Sequence, residues 1–300
     1  MSEIRQRWRI VFARDDDARF LSHLDAVRLW ERAFRRGGIP VATTEGFSPR
    51  PKLVFAAPLQ LGMLAEHELA DLFLADRLTA PDLSDRLAAG MPRGYRVVDL
   101  YDVWVGARAL APQLVAADYR MTLLNVERAD LERAAVTLMA ADRLPRLRRR
   151  ETKSTSYDLR PLVVDLRVDP ADPVAVPPDA VAAPASGLWM RLRHSQDDGA
   201  GRADEVVAAL ADELDLTIEV GPAASGEVPV PNAAEASDAV PAATRFSHLP
   251  THPPPSGTAA SGAEWPARGP LEDRSALGRA AVEVIRPVRE RLWLADELSV

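Results

Sequence analysis

The chain contains no cysteine among its 300 residues. That absence excludes disulfides, thiolate zinc sites and cysteine-ligated iron–sulfur clusters. Lysine is nearly missing as well: of 37 basic residues, only Lys52 and Lys153 are not arginine. The cationic groups are therefore almost all planar, permanently charged forks rather than compact ammoniums with a shiftable pKa. No stretch approaches the roughly 18 to 20 apolar residues of a membrane span. The N-terminal "MSEIRQRWRI" lacks the apolar core of a signal peptide. A cytoplasmic protein without a membrane partner is expected. The histidines at 23, 67, 194, 248 and 252 show no metal-binding spacing. The glycine fingerprints of nucleotide sites and the GxSxG elbow are missing too. No metal and no bound cofactor are expected, and the missing motifs argue against nucleotide hydrolysis and serine acyl transfer.

What is present is a chain longer than a usual single domain, with 47% hydrophobic residues, enough for a sizeable core. The net charge of −7 is unevenly spread. Residues 1–60 carry 11 Arg/Lys against 7 Asp/Glu, and residues 143–160 carry 7 against 2. Residues 61–142 and 161–220 are acidic, with 13 and 12 carboxylates against 8 and 4 cations. Two basic stretches on an acidic body suit a protein that meets an anion locally rather than over its whole surface.

The pattern of elements reads as α+β. "RQRWRIVFA" is strand-like; Ser22 opens "SHLDAVRLWERAFRRGG", a capped helix closed by Gly37 and Gly38. "KLVFAAPLQLG" and "HELADLFLA" read as strands, "TAPDLSDRLAAGMP" as a helix and "GYRVVDLYDVWVG" as a strand. The order strand, helix, strand, strand, helix, strand is that of a ferredoxin-like βαββαβ unit. A second round follows: strand "DYRMTLLNV", helix "ERADLERAAVTLMAAD", a basic hairpin within 147–168, strand "GLWMRLRHS", helix "GRADEVVAALADEL" and strand "DLTIEV". The expected architecture is two tandem ferredoxin-like units, 1–110 and 117–220. Residues 221–270 are Pro, Ala, Gly or Ser at 32 of 50 positions, the composition of a disordered linker. Beyond it, Leu277, Ala281, Val284, Ile285, Val288 and Leu292 predict an amphipathic helix over 271–300, kinked at Pro287, that folds back on the core or docks into a partner.

Two stretches could meet an anion. In "GFSPRPK" (46–52) the prolines fix φ and push the preceding residues toward extended geometry, so Arg50 and Lys52 project from stiff backbone. The alternative is a rigid connector that happens to be charged. In "RLPRLRRRETKSTSYDLRP", strand alternation places Arg146, Arg148 and Arg150 on one face and Arg149, Glu151 and Lys153 on the other. Such a row of cations repels itself unless nucleic acid, an acidic protein or the acidic body neutralises it. Ser22 and Asp25 are read as a helix cap. His23, beside that cap, is a weak catalytic candidate: a general acid/base or phosphate contact on one reading, a solvent-facing first-turn residue on the other.

The stretches "RFLSHLDAVRLWERAFRRGGIPVATTEGFSPRPKLVFAAPLQLG" (19–62) and "RRRETKSTSYDLRP" (148–161) resemble the radical SAM-linked bacterial proteins, a domain of unknown function. The resemblance covers residues 1 to about 220. It implies an accessory protein encoded beside, or fused to, a radical SAM enzyme with a cobalamin-type domain. No biochemical activity comes with the family. Its members usually carry asparagine and histidine where this chain has Ser48 and Arg50. Without cysteine, the chain cannot hold the radical SAM cluster itself. Three functions are in view: a module that binds structured RNA or a partner for that enzyme, a metal-independent RNA-processing enzyme using His23, and a purely protein-binding adaptor.

Overall fold

The structure is a computed structural model that describes residues 3–45, 47–150, 153–172, 176, 183–195, 199–220 and 281–297. The expected linker at 221–270 lies outside them, as do residues 271–280 of the expected terminal helix.

The first half runs β1 (Gln6–Arg14), α1 (His23–Arg36), β2 (Leu53–Phe55), β3 (Leu64–Leu74), α2 (Ala80–Gly90) and β4 (Tyr95–Val103). α1 starts where Ser22, in extended geometry, accepts the Asp25 N–H through its hydroxyl at 3.2 Å. Its apolar positions turn Ala26, Trp30, Ala33 and Phe34 inward. Trp30 and Phe34 are fully buried among Phe12, Phe55 and Tyr95, which is worth roughly 2 to 3 kcal/mol for each large side chain. α1 and α2 touch at glycine: a Cβ on Gly90 would stand 2.3 Å from the Ala33 carbonyl oxygen, and one on Gly37 would stand 2.3 Å from that of Arg86. The strands pair in the order β4-β1-β3-β2, with every neighbour antiparallel.

The second half runs β5 (Leu114–Leu124), α3 (Arg128–Ala140), a separate hairpin of β6 (Pro145–Arg150) and β7 (Lys153–Asp158), then β8 (Val163–Pro170) and β9 (Ala185–Ser195). It ends with β10 (Gly199–Ala200), α4 (Ala203–Glu213) and β11 (Thr217–Val220). β8, β9 and β5 pair in that order, all antiparallel.

The terminal helix is a correction. Ala281–Leu294 is a 14-residue strand, β12, in the middle of the sheet. One edge pairs antiparallel with β5. The other is shared, parallel to β11 at Ala281–Val284 and parallel to β3 at Val288–Arg291. β12 thereby joins both halves into one ten-stranded mixed sheet and separates β11 from β5. The helical spacing had a different cause. Register shifts between Ile285 and Val288 and between Arg289 and Arg291 insert extra residues, so the buried positions 282, 285, 288, 289 and 292 mimic a helical repeat. Val282, Val284, Ile285 and Val288 are β-branched, and Pro287 falls in the first bulge, where no ladder donor is needed.

The helices share one face. α1 and α2 cover Trp8, Ile10, Phe12 and Leu72, while α3 and α4 cover Leu123, Leu188 and Leu192. Between them Arg289 of β12 grips buried Glu68 of β3 through Nε–H at 2.6 Å and through a second guanidinium nitrogen. Burial alone would pull the Arg289 guanidinium down; Glu68, and behind it Tyr119, reverse this and hold it above its ordinary value.

Candidate binding site

The loop between α1 and β2 is closed at its neck. Thr43 bridges Pro51, the Thr44 N–H donates to the Arg50 carbonyl at 2.8 Å, and the Arg50 N–H donates to Thr44 Oγ1 at 3.1 Å. With Pro49 and Pro51 fixing φ on the return limb, this is a stiff finger. At its tip stands Phe47, fully exposed at 110%. Arg50 is exposed on the same finger. Lys52 is not beside it: its Nζ lies 4.7 Å from the centroid of the Phe73 ring, which also stacks on Arg7 at 5.3 Å. Of the two cations singled out in the sequence, the finger presents Arg50, and Lys52 is half-buried at its root. Phe47 escaped the sequence reading, although an aromatic beside glycine in a proline-rich loop has no core to enter.

The hairpin β6–β7 carries the second basic stretch. Its register pairs Arg146 with Tyr157, Arg148 with Thr155 and Arg150 with Lys153. Opposed residues share a face, so Lys153 joins the face of Arg146, Arg148 and Arg150, contrary to the simple alternation. Arg148, Arg150 and Lys153 are placed by register alone. Arg146 is paired: its Nη1 donates to Asp212 of α4 at 2.6 Å, so the acidic body neutralises the cation at the hairpin's base.

His23 is exposed in the first turn of α1, its ring centroid 5.5 Å from that of Phe55. It borders a hollow lined by Phe12, Arg14, Glu68 and Tyr95. Burial pushes the Tyr95 phenol up, with Arg14 acting against it, and burial pulls the Arg14 guanidinium down. Arg14 donates to the carbonyls of Met63 at 2.6 Å and Gln60 at 2.8 Å, a bracing role. The hollow has about 20 Å³, room for one water. His23 stands exposed at the rim of this hollow, and Arg14, Glu68 and Tyr95 behind it are buried. Ser22 and Asp25 cap α1, and the Ser22 hydroxyl also donates to the Asp25 carboxylate at 2.6 Å.

The sheet face opposite the helices carries an arginine–tryptophan ladder. Arg167 and Arg191 stack on Trp189 at 4.7 and 5.6 Å, and Arg191 and Arg291 stack on Trp293 at 4.6 and 4.1 Å. Each guanidinium is also paired with a carboxylate: Asp165 at 2.6 Å, Asp118 at 2.7 Å and Glu297 at 3.1 Å respectively. Guanidinium groups already stack on the rings and carboxylates neutralise the cations, so the ladder ties β8, β9, β5 and β12 together and is not a stacking platform for bases. A cleft of about 330 Å³ at the first bulge of β12 is likewise of mixed sign, with Arg120 gripped by Glu290, Glu66 and Asp172. Among the described residues no cluster of three or more potential metal ligands occurs, and no helix is long and apolar enough to cross a membrane.

Comparison with known proteins adds a family. One described as "Uncharacterized protein conserved in bacteria (DUF2344)" matches residues 7–192. No curated protein matches. Among solved structures, a crystal structure of an unknown protein from Galdieria sulphuraria is similar at 13% identity, covering 71% of this chain and 93% of that one, with a TM-score of 0.21. So low a score carries no argument about fold or function.

Proposed function

We propose, from the premise that the chain belongs to this family of uncharacterized proteins conserved in bacteria, that it is a binding module for structured RNA. The observation that carries the reading is the finger: a fully exposed Phe47 and an exposed Arg50 on a neck closed by backbone bonds. An aromatic ring and a guanidinium a few residues apart can stack on an unpaired base and contact its phosphate. The hairpin supplies a second anion contact through Arg148, Arg150 and Lys153, while Arg146 stays with Asp212. The resemblance to radical SAM-linked proteins adds the role of accessory to such an enzyme, holding RNA for it in the cytoplasm. We further read residues 6–103 as a ferredoxin-like unit. Its support is the order β4-β1-β3-β2 with antiparallel neighbours; the second half has the same order of elements, with β12 inserted between β11 and β5. The enzyme reading loses ground to the hollow behind His23, which has no room for a substrate.

The test is fluorescence anisotropy with tRNA and ribosomal RNA fragments, comparing wild type with Phe47→Ala/Arg50→Ala and with Arg148→Ala/Arg150→Ala. The reading expects binding that both variants weaken. Absence of binding at low salt would reject it and turn the finger into a protein-docking element for the radical SAM partner.

A further inference from the structure

Arg28, Arg32 and Arg35 stand four and three positions apart on α1, so they share one face and form a row about 10 Å long. Ala26, Trp30, Ala33 and Phe34 face the core, and the three arginines lie exposed on the other side. Like charges at this spacing destabilise a helix unless something answers them. α3 answers its own: Arg128 meets Glu132 at 2.7 Å and Arg133 meets Asp130. α1 does not. Arg28 reaches Asp25 only at 3.5 Å, and that carboxylate already accepts from the Ser22 hydroxyl. Arg32 and Arg35 form no ion pair among the described residues. Glu31, the remaining carboxylate of α1, buries its Oε1 without a hydrogen-bond partner and leaves the row uncompensated. In a chain whose 44 carboxylates outnumber its 37 cations, this face is kept open.

The row leads toward the finger. Seven residues separate Arg36, the end of α1, from Thr43 at the neck, a reach of at most about 25 Å. Within them the Ile39 N–H donates back to the Phe34 carbonyl at 3.0 Å and the Ala42 N–H to that of Phe73 at 2.8 Å. The two surfaces differ in chemistry. The finger joins a cation to the ring of Phe47, and a ring takes an unpaired base. The row has cations and no ring, which suits a paired stem, where phosphates are presented and bases are stacked away. A protein partner would need an apolar centre to its interface, and the row holds none; Leu24, at the start of the helix, is the one large apolar side chain that α1 exposes.

We infer that Arg28, Arg32 and Arg35 hold the phosphate backbone of an RNA stem whose adjoining unpaired base goes to the finger. The substrate class is then a stem-loop rather than a single strand. This rests on the RNA reading of the finger.

The probes are a labelled RNA stem-loop and a single strand carrying its loop alone, titrated across a salt series. Arg28→Gln/Arg32→Gln/Arg35→Gln changes exposed positions to a good helix former, so circular dichroism and melting temperature should stay at wild type. On the stem-loop this variant should lower the slope of log affinity against log salt by about 2, from three lost phosphate contacts. On the loop alone its slope should equal that of wild type. Arg28→Lys/Arg32→Lys/Arg35→Lys keeps the charge and should keep the slope on both. A wild-type slope in the glutamine variant, with Phe47→Ala/Arg50→Ala still weakening binding, overturns the inference and spares the finger. Finger variants that bind like wild type, with the slope lost in the glutamine variant, reject the finger and support the row. An equal loss on both probes overturns the assignment to a stem. Failure of wild type to bind either RNA at low salt overturns both readings. Binding of a polyglutamate peptide as tight as the stem-loop, lost in the glutamine variant, would give the row to an acidic protein instead.

Discussion

Glu68 and Arg289 offer the sharpest perturbation, because β12 joins the two halves of the sheet between β5 and β3. Both side chains are nearly buried, at 3% and 4% exposure, and Arg289 also donates to the Pro58 carbonyl at 3.2 Å. Arg289→Met leaves a buried carboxylate with no counter-ion; Glu68→Leu leaves a buried guanidinium. Breaking a buried pair from one side costs about 3 to 5 kcal/mol. With a urea slope of about 2 to 3 kcal/mol per molar, each single variant should lose roughly 1 to 2 M in midpoint. Glu68→Leu/Arg289→Met removes both charges and fills the space with apolar atoms, which is close to neutral or stabilising in comparable pairs. The lost bonds to the carbonyls cost about 1 kcal/mol each, so the double variant should lie within about 2 kcal/mol of wild type. Urea titration followed by tryptophan fluorescence reads all four corners of the cycle. If the double variant falls by the sum of the singles, the pair is not a coupled lock and the role assigned to β12 fails.

Two further outcomes follow from local geometry. Burial, and then the Arg289 charge, hold the His194 imidazole below its ordinary range. The unfolded chain takes up a proton below about pH 6.5 and the native chain resists it, so stability is full above that pH and falls as the pH drops below it. Urea midpoints at pH 7.5 and 5.5 should converge in His194→Gln; an unchanged drop in the variant would count against this. Gly94 sits at φ +86°, where an added Cβ would stand 2.6 Å from the Ala18 Cβ. Gly94→Ala should therefore cost about 1 to 3 kcal/mol, read as a lower melting temperature, and an unshifted melt would refute the strain argument.

Much of the fold was legible because local signals agreed with the final sheet. Ser22 and Gly37 marked the ends of α1, and Trp30 and Phe34 marked its buried stripe. β12 was not legible, since bulges at Arg286–Pro287 and Glu290 gave a strand the spacing of a helix. Partners invisible in the sequence changed the site too. Lys52 was read as a projecting cation, but a strand folded beside it offers the Phe73 ring. Arg146 was read with its neighbours, but α4 brings Asp212 to it from 66 positions away. Phe47 lay in plain view; what the sequence withheld was that no part of the body covers it.

The claim that the finger reads RNA is tested most directly by splitting its two parts across a salt series. Each phosphate contact contributes roughly 0.7 to 0.9 to the slope of log affinity against log salt, while a stacked base contributes affinity without slope. Anisotropy with a fixed tRNA should show Arg50→Ala lowering the slope by about that amount, and Phe47→Ala weakening binding roughly tenfold with the slope unchanged. Equal affinity and slope in wild type and both variants would contradict the account.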